Sequence, residues 1–142
     1  PTPPLLYKSH ALVPFVSPAF FGRLWCVSEL ATFCRSHEAD LSHTLLLFSL
    51  EWPSSLNPFK QQKLTARERE WFTNFSCRQA QCYKPADRAM LMQHIRSQWG
   101  SEEAFDAFVR TKLVTVMETS KANYQRQLRI TAGQSFELAF GD

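Results

Sequence analysis

Long apolar runs are missing from this chain. No stretch approaches the roughly 18–20 residues that a bilayer-spanning helix needs, so no membrane partner is expected. A secretory layout is missing too: the opening PTPPLLYKSH lacks the ordered charged, apolar and small-residue zones of a signal peptide. It also has no initiator Met, so the chain reads as one cut from something longer. Nor is there a basic stripe. The net charge is +3, and basic residues alternate with acids, as in TARERE (65–70), which reads as a solvated helix face. No nucleic-acid partner is therefore expected.

No two of the four cysteines, Cys26, Cys34, Cys77 and Cys82, form a CxxC pair. If Cys26 and Cys34 share a helix, eight residues of rise separate them by about 12 Å, too far for a disulfide or a shared metal. The spacing Cys77-x4-Cys82 is loose for zinc, and no paired His follows it. Reduced, mostly buried thiols in a cytoplasmic protein are the expectation, with no metal and no resident cofactor. A thiol or metal site at Cys77 and Cys82 is the weaker alternative.

What is present is an ordinary globular composition, 44% hydrophobic and 20% charged, with twelve Phe and four Trp to fill a core. At 142 residues the chain is the size of one domain. ALVPFVS (11–17) reads as a buried strand, with Pro14 suggesting an edge position or a bulge. SPAFFG makes a loop, and from Leu24 to Ser36 the apolar spacing becomes helical. HTLLLFSLEWP (43–53) is nearly continuous in apolar residues, as in a strand covered on both faces, and PSSLNP breaks it.

Further on, Thr65-x-x-Glu68 has the form of a capping box, followed by Trp71, Phe72 and Phe75 at helical spacing. Phe75–Cys82 is read as one more strand. Pro85 suits a first helical position, Asp87 adds charge to the first turn, and Gly100 suits the end. Ser101 then caps a helix whose stripe is Phe105, Phe108, Val109, Leu113 and Val116. The main domain is placed at 1–113, with 114–142 a polar helical extension or tail. Strand–helix–strand–helix order predicts an α/β domain. The strands near 11–16 and 44–50 are expected to be adjacent and parallel, joined by the helix that starts near Leu24.

The chemistry-bearing stretch is RLWCVSEL (23–30). On a helical wheel Cys26, Val27, Leu30, Ala31 and Cys34 share one arc, while Trp25 and Glu29, four apart, meet at its rim. A carboxylate beside an indole is partly desolvated, which suits acid–base work or stabilisation of a cation. The plainer reading makes Glu29 a favourable charge in a first helical turn.

LVPFVSPAFFGRLWCVSELATF resembles the middle of a TIR (Toll/interleukin-1 receptor) domain, where a strand ending in Ser is followed by a loop and then Trp-Cys-x-x-Glu-Leu. With CYKPADRA and FDAFVRTKL further on, it looks closest to TIR-like proteins of algae and other protists. The likeness to TIR domains proper spans about residues 11–52, and a looser one reaches about residue 113. It implies a flavodoxin-like parallel sheet with flanking helices, present here as the C-terminal portion. It also implies NAD+ as substrate, hydrolysed in the complete protein with Glu29 as the catalytic carboxylate. Trp25 would then wall the pocket or belong to the core, and Ser17 and Arg23 would line the same cleft or serve a structural role only. The strand, helix and loop with which a TIR domain begins have no counterpart before residue 11. Many TIR domains act in signal transduction without activity, through homotypic association, so a protein–protein interaction scaffold is the rival expectation.

Overall fold

A computed structural model describes residues 11–12, 14–45, 48–49 and 64–140, with side chains described through residue 123 except at 15, 42, 43, 48 and 49. The opening decapeptide, residues 46–47 and 50–53 of the second expected strand, and the PSSLNP break lie outside the described residues. In chain order the elements are β1 (Phe15–Val16), α1 (Pro18–Phe21), α2 (Leu24–Ser36), a 3-10 turn (Glu38–Asp40) and α3 (Leu41–Thr44). Then come β2 (Phe48–Ser49), α4 (Ala66–Thr73), α5 (Pro85–Trp99) and α6 (Glu102–Phe140).

Helix starts and stops follow local chemistry. At α4 the Thr65 hydroxyl accepts from the Glu68 amide at 3.1 Å, and the Glu68 carboxylate accepts from the Thr65 amide at 3.1 Å, so two orphan donors are satisfied reciprocally. Pro85 opens α5 with Asp87 in its first turn, and Gly100, at φ +83°, ends it in a conformation that side chains resist. The Ser101 hydroxyl then accepts the Ala104 amide at 3.0 Å and starts α6. That helix runs for 39 residues without a break, about 58 Å at the usual rise.

β1 and β2 are adjacent and parallel, pairing Phe15 with Phe48 and Val16 with Ser49. A separate bridge, Leu12 with Leu45, keeps the same register. Among the described residues the ladder goes no further, and the core is helix packed on helix. The expected α/β, flavodoxin-like sheet is therefore corrected to a mainly helical fold carrying one short parallel ladder.

Two causes account for the difference. A short apolar run fits a buried strand and a buried helical segment equally well. Phe75–Cys82, expected as a strand, forms a turn whose backbone groups are satisfied by side chains. Asp106 accepts the Cys77 amide at 2.9 Å, the Arg110 guanidinium donates to the Phe75 carbonyl at 2.8 Å, and the Arg88 guanidinium donates to the carbonyls of Arg78 and Ala80. Only Gln81 pairs like a strand residue, in a parallel bridge with Arg23.

α2 is the interior helix. Leu24, Val27, Leu30, Ala31, Phe33 and Cys34 are buried, and so are the polar Ser28 and Thr32, while no residue from Leu24 to Arg35 is fully exposed. A helix covered on nearly every side needs neighbours all round. It has α1, α5 and α6. α6 in turn packs against α2, α3, α4 and α5, giving Phe105, Val109, Leu113 and Met117 to the core. Between α4 and α6 lies a buried ion pair, Lys121 Nζ to Glu68 Oε1 at 2.7 Å, with side chains only 4% and 5% exposed. One turn earlier on α6, Glu118 meets Arg69 at 2.6 Å in solvent.

Candidate functional site

The start of α2 is held beside the 81–84 turn by two backbone bonds. The Gln81 amide donates to the Gly22 carbonyl at 2.8 Å, and the Leu24 amide donates to the Gln81 carbonyl at 3.0 Å. This pairing leaves a cleft of about 260 Å3 between the two segments. Arg23 lines it from the residue before α2, Trp25 and Cys26 from α2, Gln81, Cys82 and Tyr83 from the turn, and Asp87 from α5.

Trp25 is half-buried, and its indole Nε1 donates to Glu29 Oε1 at 2.7 Å, so the two residues meet as their spacing predicts. Glu29 is also half-buried, but it stands in the second turn of α2, and the first turn holds no acid. Its charge therefore lies beyond the turn where a helix dipole is felt, and the first-turn reading does not apply. Glu29 is not a lining residue of the cleft; it bears on the cleft through the indole that it tethers. Ser17 stands before Pro18 at the start of α1, where its carbonyl accepts the Phe20 amide at 3.0 Å, and it does not line the cleft either. Of the four residues singled out in the sequence, Arg23 and Trp25 are brought together at the cleft, Glu29 adjoins Trp25, and Ser17 stands apart.

Three cleft residues escaped sequence reasoning as site residues, Gln81, Tyr83 and Asp87, while Cys82 figures there only together with Cys77. Nothing local announces them, because the pairing that brings them over α2 links residues 58 positions apart, Arg23 and Gln81. Cys26 was expected in the packed arc and instead half-lines the cleft. Partial burial raises its thiol pKa, opposed by the nearby Arg23 charge and reinforced by Glu29. Cys82 is raised by the same desolvation, opposed by Arg88. Cys34 and Cys77 are fully buried and pushed up to about 12, Cys34 by burial and Cys77 by burial together with the Asp106 carboxylate. Cys77 and Cys82 thus occupy different surroundings, one in the core and one on the cleft.

Among the described residues no three His, Cys, Asp or Glu side chains converge to hold a metal ion. No described helix is long and apolar enough to cross a membrane. Comparison of the chain with protein-family models, with curated proteins and with solved structures found no match.

Proposed function

We propose that this chain is a TIR-like module whose Trp25–Leu30 segment belongs to a site that hydrolyses NAD+ in the full gene product. Glu29 is the carboxylate of that site, and Arg23 and Trp25 line its approach. Breaking the nicotinamide–ribose bond sends the bonding electron pair to the leaving nicotinamide and leaves an oxocarbenium-like ribose, which water then attacks. A fixed carboxylate stabilises that cation, and a cationic Arg23 suits the substrate's phosphates.

The observation that supports this reading is the 2.7 Å bond from the Trp25 indole to Glu29, one residue from the cleft wall. It orients the carboxylate and excludes water from one side of it. To meet a ribose hydroxyl, Glu29 must share or release the indole hydrogen. The reading places the protein in the cytoplasm, in keeping with four unbridged thiols.

A second reading is favoured by one specific fact: Glu29 does not line the cleft. In that reading Glu29 only tethers Trp25, and the module serves signalling as a homotypic interaction scaffold. Nicotinamide release by the full gene product separates the two. The enzyme reading expects Glu29→Gln to abolish turnover, because Gln can still accept the indole hydrogen but carries no charge. Turnover unchanged in Glu29→Gln and Glu29→Ala refutes the catalytic role. An inactive full gene product that self-associates in sedimentation supports the scaffold.

A further inference from the structure

A second hollow, of about 250 Å3, lies between α1, α4 and the 75–80 turn, and none of its residues lines the cleft. Its floor is aromatic. Phe21 and Phe75 are buried and Trp71 is half-buried, so the indole supplies the accessible face. Phe21 backs that indole, with ring centroids 5.8 Å apart and planes 30° apart, and so holds it as a platform. Polar side chains surround the floor: Glu70 and Asn74, one helical turn apart, from α4 and its cap, and Ser76 and Gln79 from the turn. Among the described residues, these four side chains and the Trp71 indole N–H have no hydrogen-bond or ion-pair partner. The other polar groups at the turn are committed, since Arg88 and Arg110 donate to its carbonyls and Asp106 accepts its Cys77 amide. No lysine or arginine lines the hollow.

We propose that this hollow binds a neutral pyranose sugar of the glucose configuration, stacked on Trp71 and hydrogen-bonded at the rim. The inference is independent of any NAD+ chemistry at Glu29. Lacking a cation, the hollow has no charged partner for a phosphate or a carboxylate. A quaternary ammonium suits an indole beside a carboxylate, but it neither donates nor accepts a hydrogen bond, so the two carboxamides and the hydroxyl would go unmatched. A sugar matches floor and rim together. In the glucose configuration the ring hydroxyls are equatorial, so the axial C–H groups form a flat, slightly positive surface that lies on the negative face of the indole. The hydroxyls then point outward to the rim. The Glu70 carboxylate accepts from two neighbouring hydroxyls in charge-assisted bonds. The Asn74 and Gln79 carboxamides each donate and accept, and so does the Ser76 hydroxyl. At the usual binding energy per heavy atom, a single sugar residue has a Kd of about 1 mM.

The test titrates methyl β-D-glucopyranoside into the isotope-labelled chain and follows the four indole N–H signals by NMR, Trp71's being the one missing from Trp71→Phe. The expected result is a saturable shift of the Trp71 signal with a Kd of about 1 mM. Trp25, bonded to Glu29, and Trp99, packed on Phe105, should not respond. Glu70 and Asn74 are exposed, so Glu70→Gln and Asn74→Ala keep the fold, and each should weaken binding about fivefold. Sorbitol, which has the hydroxyls without the flat ring face, should leave the signal in place. Tighter binding of cellotriose than of the glucoside supports a glycan chain as the occupant, and equal affinity supports a single residue. No saturable Trp71 shift up to about 50 mM glucoside, far above that Kd, overturns the proposal. So does sorbitol acting as the glucoside does, tetramethylammonium binding more tightly than the glucoside, or wild-type affinity in both rim variants.

Discussion

Replacing Lys121 by Met leaves the Glu68 carboxylate buried between α4 and α6 without the ammonium that faces it at 2.7 Å. Removing one member of a buried pair costs about 3–5 kcal/mol, because the surviving charge stays buried and loses a counter-ion. A domain of this size has about 5–15 kcal/mol in total, so the loss is a large share of its stability. With a urea slope near 2 kcal/mol/M, the unfolding midpoint should fall by about 1.5–2.5 M. Two comparisons give the argument its force. In Glu68→Gln/Lys121→Met both charges are gone, while Gln still accepts the Thr65 amide as Glu68 does, so about 2 kcal/mol or more of the loss should return. Arg69→Ala breaks the neighbouring Arg69–Glu118 pair, which is shorter at 2.6 Å but has side chains 45% and 37% exposed. Water screens that pair, and its loss should cost less than about 1 kcal/mol. The assay is equilibrium urea unfolding followed by circular dichroism. If Lys121→Met costs under about 1 kcal/mol, or Arg69→Ala costs as much as Lys121→Met, burial does not set the strength of these pairs and the reasoning fails.

Native labelling with iodoacetamide at pH 8 should modify Cys26 and Cys82 first, with Cys34 and Cys77 slower by about tenfold or more; equal rates for all four would contradict the burial assigned to the core thiols. Because the folded pKa values of Cys34 and Cys77 are raised to about 12 from an ordinary 9, the unfolded chain releases these protons first. The stability they contribute is whole below pH 9 and is lost as pH climbs from 9 to 12, so urea midpoints should fall across that window, less steeply in Cys34→Ala/Cys77→Ala. Glu29→Ala should cost about 1 kcal/mol by releasing the Trp25 indole, and Glu29→Gln clearly less; equal losses would mean that the 2.7 Å bond contributes nothing. Gly100→Ala should cost about 1 kcal/mol in thermal unfolding, because φ +83° is strained for any side chain although the Cβ itself meets nothing.

Helix ends were legible because their signals are local. Thr65 and Glu68, Pro85 and Asp87, Gly100, and Ser101 each act on backbone groups within four residues, and each stands where its spacing predicts. The Trp25–Glu29 contact was legible for the same reason. The fold class was not. A run such as HTLLLFSLEW says that residues are apolar, not which neighbours cover them, and here His43 and Thr44 close a short helix before any strand begins. The turn at 75–82 was misread because its amides and carbonyls are satisfied by Asp106, Arg110 and Arg88, long-range side chains that no periodicity marks. The breadth of α2's burial was hidden by Ser28 and Thr32, polar residues on faces that a wheel assigns to solvent. The cleft depends on one bridge between Arg23 and Gln81, so half its wall lay outside any local pattern.

The position of α2 in the chain has a consequence for synthesis. Its residues leave the ribosome before those of α6, yet part of its cover comes from α6, whose buried contribution runs to Lys121. Between Ser36 and Lys121 the ribosome must add 85 residues. At the usual 5–20 residues per second this takes roughly 4–17 s. A helix of 13 residues is marginal in water on its own, so for much of that interval the α2 segment keeps its apolar side chains uncovered. Truncated nascent chains ending before Glu102 should therefore bind holdase chaperones, and extension past Lys121 should release them.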